Sequence, residues 1–206
     1  MYTQSITRTH RTAFIFVIDG SGSMAEKIRF RGRLMTKADA VASITNGMLF
    51  ELIERARRSD GVRDYYDIAA KWCADPVHAE SFPPIVFNIT DGEATDCDDE
   101  ELCAVAEQIK SLRTADGNVL LVNIHIAAGD TPRTVFFPST EEADYPNRYA
   151  AVLYECSSLM PEVFDEAIRE AKGPGATPPF RGMSYNASAE QLITMLNIGS
   201  ISVKTE

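Results

Sequence analysis

Two short stretches, Ala13 to Ile18 and Ile85 to Ile89, are mostly apolar or β-branched on both faces, and each leads into an aspartate–glycine turn, Asp19-Gly20 and Asp91-Gly92. A strand that asks for burial on both faces belongs in a sheet covered above and below, so the first stretch is expected to be a central strand. Val119 to Ile126 is a third such stretch. Between them the apolar period changes to three and four. Ala38, Val41, Thr45, Met48, Leu52 and Ala56 mark a helix ending near Arg58, and Leu102, Val105, Ile109 and Leu112 mark another starting near Asp99. This alternation predicts an α/β fold, a doubly wound, mostly parallel open sheet with helices on both faces. Such sheets collect their ligands at the carboxyl ends of the strands, where Asp19 and Asp91 both stand.

Tyr65 to Ala70 reads as a further strand, and Ala151 to Cys156 as a strand or the start of a helix. Pro161 suits the first turn of a helix that Gly173 stops. Ser188 with Gln191 forms a capping box ahead of a last helix bearing Leu192, Ile193 and Leu196. No repeat and no long linker divides the chain, so a single domain is expected over residues 1–206, with a core from about 12 to 203.

Thirty Asp and Glu against twenty Lys and Arg give a net charge of -10 at pH 7. A polyanion is a poor partner for nucleic acid; a cation or a basic surface suits it better. The polar start and the short apolar run cut off at Asp19 match neither a signal peptide nor a membrane span. Cys73, Cys97, Cys103 and Cys156 form no CxxC pair. Together these features predict a reduced, cytoplasmic protein.

Asp19-Gly-Ser-Gly-Ser-Met24 sets one carboxylate and two hydroxyls, Ser21 and Ser23, at alternating positions past a strand. The two glycines are expected to let the backbone turn tightly enough for the three oxygens to converge. Carboxylate, hydroxyl and water oxygens suit a small hard cation, Mg2+ above all, with Mn2+ or Ca2+ as substitutes. Asp91, ending a different strand, is placed to supply a second carboxylate to the same point. So few charged ligands leave the ion electrophilic and one position open to an acidic group from outside.

Asp-x-Ser-x-Ser after a buried strand, with Thr90-Asp91-Gly92 ending a later one, resembles the von Willebrand factor A domain and its metal-ion-dependent adhesion site. The resemblance extends from Thr12 to Val203 in the order of strands and helices. The Asp-Gly-Ser-Gly-Ser-Met form is similar to bacterial intracellular members, some encoded near phosphatases, kinases and stress or tellurium-resistance genes. The resemblance implies that Ser21 and Ser23 bind the metal directly and that Asp19 and Asp91 do so directly or through water. An Asp or Glu of a partner protein then completes the shell, which makes the chain a binding module rather than an enzyme.

The family also takes a threonine ligand from a loop that follows a short antiparallel edge strand. Residues 71–84 contain no threonine and are too few to hold that strand, its loop and a crossover helix. Lys71 to Asp75 reads like the tail of a helix placed directly after a strand. This predicts either an incomplete site or a segment missing between Ala70 and Lys71.

The remaining candidates have plainer readings. The acidic run Asp96 to Glu101 lacks the ligand pattern of an EF-hand loop and suits a helix start. His10, His78 and His125 form no metal-spaced pair, and His125 is expected to be packed and hydrogen-bonded. Cys97 and Cys103 are expected to be ordinary thiols. A phosphohydrolase using Asp19 as nucleophile would carry an acid at position 21, where Ser21 stands, and a placed lysine, which the sequence does not reveal. A metal-free scaffold is the third reading, sustained by the absent threonine.

Overall fold

The computed structural model describes residues 2–3, 12–56, 65–91, 98–126, 133–139 and 145–199. In chain order, β1 (Phe14–Ile18) is followed by the hairpin strands β2 (Lys27–Phe30) and β3 (Arg33–Thr36), and then by α1 (Lys37–Ala56) and α2 (Tyr65–Ala74). Next come β4 (Ile85–Thr90), α3 (Asp99–Ser111), β5 (Leu120–Ile126), β6 (Val135–Phe136) and α4 (Arg148–Cys156). The chain closes with α5 (Asp165–Lys172), β7 (Met183–Ala187) and α6 (Ala189–Gly199). The main sheet has the order β1-β4-β5-β7-β6, parallel throughout except for β6.

Helices cover both faces, as the alternation of strands and helices requires. Ile85, Phe87, Ile89, Leu120, Val122 and Ile124 pack on one side with Val41 and Ile44 of α1, Ile168 of α5 and Leu196 of α6. On the other side Ile15, Val86 and Leu121 meet Ala69 of α2, Ala106 of α3 and Cys156 of α4. Successive strand residues therefore go to opposite layers, and the doubly wound α/β architecture follows.

Several expectations are corrected. Among the described residues β1 is an edge of the main sheet, not a central strand. Its apolar residues are explained by the two helical layers, since Phe14 and Phe16 face one core and Ile15 and Val17 the other. Burial of both faces reports what lies above and below a strand and says nothing of its lateral neighbours. Tyr65 to Ala70 is helical, and α2 passes unbroken through Ala70 and Lys71, so the predicted break there is not found. The helical reading wins because Ile68, Ala69 and Cys73 share one packed face at helical spacing. Ala151 to Cys156 lies within α4, whose N-cap Asn147 accepts the Ala150 N–H at 2.8 Å.

The hairpin β2–β3 was not anticipated. Its turn places Arg31 and Gly32 at φ 47° and 76°, the left-handed pair of a tight two-residue hairpin loop. The capping box at α6 forms as expected, with Ser188 N–H to Gln191 Oε1 at 3.0 Å and Gln191 N–H to Ser188 Oγ at 3.2 Å. No helix among the described residues is long and apolar enough to cross a membrane.

Candidate functional site

β1 and β4 run parallel with Ile18 beside Ile89, so both strands release their chains at the same edge of the sheet. The Asp19 N–H still bonds to the Ile89 carbonyl at 2.9 Å, which holds the two exits together. Past β1 a 3-10 turn spans Gly22–Ala25, anchored by Met24 in the core. The turn brings the Ser21 and Ser23 hydroxyls to 2.8 Å from each other, and Ser23 Oγ donates to Asp91 Oδ1 at 2.7 Å. Asp19 Oδ1 accepts the Ser21 N–H at 2.7 Å and Oδ2 accepts the Thr90 hydroxyl at 3.1 Å. Desolvation pushes the Asp19 carboxyl up, but hydrogen bonds from Ser21, Thr90 and the Asp91 backbone outweigh it and hold the group below its usual range.

The four residues singled out in the sequence, Asp19, Ser21, Ser23 and Asp91, thus lie at one sheet edge. The glycines act differently from expectation. Gly20 and Gly22 avoid the left-handed region, and a Cβ at either would meet nothing within 4 Å. The convergence comes from the 3-10 turn and the Met24 anchor instead.

A lysine that the sequence reading missed completes the group. Lys37, the first residue of α1, places its Nζ 2.9 Å from Asp91 Oδ2 and 3.0 Å from Glu26 Oε2. The Lys37 and Asp91 side chains are 2% and 0% exposed. Desolvation alone would lower the ammonium's pKa, but its hydrogen bonds and attraction to Asp91 and Glu26 raise it, so Lys37 is a buried cation. The hairpin delivers it: Lys27 pairs with Thr36, and the ladder continues with Lys37 N–H to Glu26 carbonyl at 2.9 Å. One signal was present in the sequence. A cation at the very start of a helix opposes the helix dipole and calls for another reason to be there.

The oxygen spacing is of the size that Mg2+ ligation requires and equally that of ordinary O–H···O hydrogen bonds. Bonds of about 2.0–2.1 Å at right angles set neighbouring ligand oxygens about 2.9 Å apart, close to the Ser21–Ser23 and Ser23–Asp91 separations. Among the described residues no three His, Cys, Asp or Glu side chains gather into a metal-binding group. Thr90, the single threonine of residues 65–91, donates its hydroxyl to Asp19 Oδ2 at 3.1 Å.

Behind the site, His125 lies beside Thr90 in the ladder and is stacked on Tyr185 at 4.3 Å. Its Nδ1 accepts the Asn186 N–H at 3.3 Å, the packed and hydrogen-bonded role expected of it. Asp98 caps α3 by accepting the Glu101 N–H at 2.8 Å, so the described part of the acidic run is a helix start. Cys97 and His10 lie outside the described residues. Comparison with protein-family models, with curated proteins and with solved structures yields no match.

Proposed function

We propose that this chain is a Mg2+-dependent protein-interaction module of the von Willebrand factor A type. Ser21, Ser23, Asp19 and Asp91 hold the ion, and an Asp or Glu of a partner protein takes the remaining position. The supporting observation is the row of oxygens from Ser21 through Ser23 to Asp91, spaced 2.8 and 2.7 Å at the carboxyl ends of β1 and β4. Two of the four ligands are neutral hydroxyls and Lys37 offsets part of the Asp91 charge, so the ion keeps positive charge with which a carboxylate arriving from outside gains an electrostatic contact. A role in a bacterial stress or signalling system in the cytoplasm belongs to the same proposal.

Calorimetric titration with MgCl2 tests the proposal, with acetate as a simple carboxylate probe. Mg2+ binds the wild type, Ser23→Ala weakens it about tenfold or more, and acetate tightens the apparent Mg2+ affinity because the two ligands share one shell. Absence of any Mg2+ heat or thermal shift refutes the module. That outcome would favour the metal-free scaffold, which gains one point from Lys37, because an ammonium already compensates Asp91. The phosphohydrolase reading also gains a lysine near the site, but Lys37 grips Asp91 rather than Asp19, and Ser21 still stands where an acid is needed. Asp19-dependent turnover of p-nitrophenyl phosphate would reinstate it.

A further inference from the structure

We infer that Lys37 is a built-in counter-cation that confines Asp91 to one metal-facing oxygen and thereby sets which divalent ion the site accepts. The inference rests on reading the site as a cation site. The two oxygens of Asp91 have separate duties: Oδ1 points to Ser23 at 2.7 Å, and Oδ2 is taken by Lys37 Nζ at 2.9 Å. Two contacts with Glu26 hold Lys37 in this position. Its backbone N–H is fixed to the Glu26 carbonyl at the open end of the hairpin ladder, and its ammonium is held by the Glu26 side chain at 3.0 Å.

Two consequences follow from general ion chemistry. Ca2+ takes six to eight oxygens at about 2.3–2.6 Å and favours carboxylates that chelate through both oxygens, whereas Mg2+ takes six and accepts single oxygens. With Oδ2 occupied by the ammonium, Asp91 offers only Oδ1, so the site loses its natural bidentate ligand for Ca2+. The second consequence concerns charge. Lys37 sets its single positive charge against Asp91 at 2.9 Å and Glu26 at 3.0 Å, so Asp91 meets a bound ion with its own charge already partly offset. Without Lys37 the same ion would enter a more negative site and bind more tightly. Lys37 therefore trades affinity for selectivity and keeps the bound ion short of negative charge.

The test compares wild type, Lys37→Met and Lys37→Gln by calorimetry and thermal unfolding, with MgCl2 and CaCl2 as separate probes. Lys37→Met removes charge and cap together. Ca2+ affinity is expected to rise about tenfold or more, and Mg2+ affinity by less, so the preference for Mg2+ narrows or inverts. Lys37→Gln keeps a hydrogen-bond donor for Oδ2 without the charge, so both ions tighten while their ratio holds. If Lys37→Met unfolds without metal, recovery of a cooperative melt at lower CaCl2 than MgCl2 supports the same conclusion. If wild type binds Mg2+ and neither variant changes affinity or ratio, Lys37 has no such role and the metal site stands without it. If neither wild type nor Lys37→Gln binds either ion, the inference falls together with the metal site.

Discussion

The Lys37–Asp91 pair makes a quantitative prediction for the metal-free protein. Both side chains are almost wholly out of water and 2.9 Å apart. Removing one member of such a pair leaves an uncompensated buried charge, at a typical cost of about 3–5 kcal/mol. Among the described residues, Lys37→Met leaves the Asp91 carboxylate the Ser23 hydroxyl as its close donor, so its cost should lie in that range. Asp91→Asn leaves Lys37 its second partner, Glu26, at 3.0 Å on a largely exposed side chain, so about 3 kcal/mol is expected. The double variant Lys37→Met/Asp91→Asn buries no net charge and should cost less than either single change. Urea unfolding in EDTA measures this, because no stray cation can then replace the ammonium. Trp72, the chain's single tryptophan, lies on α2 stacked against His78 at 3.6 Å and serves as a probe remote in sequence from both substitutions. A stability of about 5–15 kcal/mol, usual for a domain, leaves each single variant measurable. Costs that simply add in the double variant would refute the reasoning, since they would mean that the two charges do not depend on each other.

His125 predicts a pH dependence. Burial first, then the positive charge of Lys37, push its imidazole down to about 4 from 6.5, against smaller raising contributions from Asp91. The unfolded chain therefore binds the extra proton first, so this contribution is complete above pH 6.5 and fades as pH falls toward 4. It amounts to about 3 kcal/mol at most. Urea unfolding in EDTA between pH 7.5 and 4.5 should show a shallower pH slope for His125→Gln than for wild type, and equal slopes would contradict the assignment. At the end of α6, a Cβ on Gly199 would stand 2.5 Å from Phe87 Cζ. Gly199→Ala should cost about 1–3 kcal/mol of stability, whereas Gly20→Ala, with open space around it, should stay within about 0.5 kcal/mol; melting temperatures check both.

The doubly wound sheet was legible because β4 and β5 are nearly continuous apolar runs and the helices between strands keep a regular apolar stripe. The grouping of Asp19 with Asp91 was legible because parallel strands release their chains at one edge. What was missed shares a physical cause. β2 and β3 form a small two-stranded sheet of their own, with one face on the core and one toward solvent, and their alternation of Lys27, Ile28, Arg29 and Phe30 is brief and rich in charge. Its strongest signal was Arg31-Gly32, a turn pair that departs from the usual Asn-Gly or Asp-Gly. Missing the hairpin meant missing Lys37, because only the hairpin register explains how a helix-start lysine reaches Asp91. Tyr65 to Ala70 misled for another reason: a short aromatic and aliphatic run satisfies both strand and helix patterns, and packing on Ile15 and Val86 decided for the helix.

The hairpin that presents Lys37 has a consequence for the order in which the charges of the site come together. Lys37 and Asp91 are 54 residues apart in sequence, whereas Glu26 and Lys37 meet across a local turn. Hairpins close in about 1–10 μs, while parallel pairing such as β1 with β4 must first bring distant segments together. The local contact of the ammonium with Glu26 is therefore expected to form before β4 brings Asp91. In that order the carboxylate would leave water directly onto a waiting cation, and the chain would not pass through a state in which that acid is buried alone.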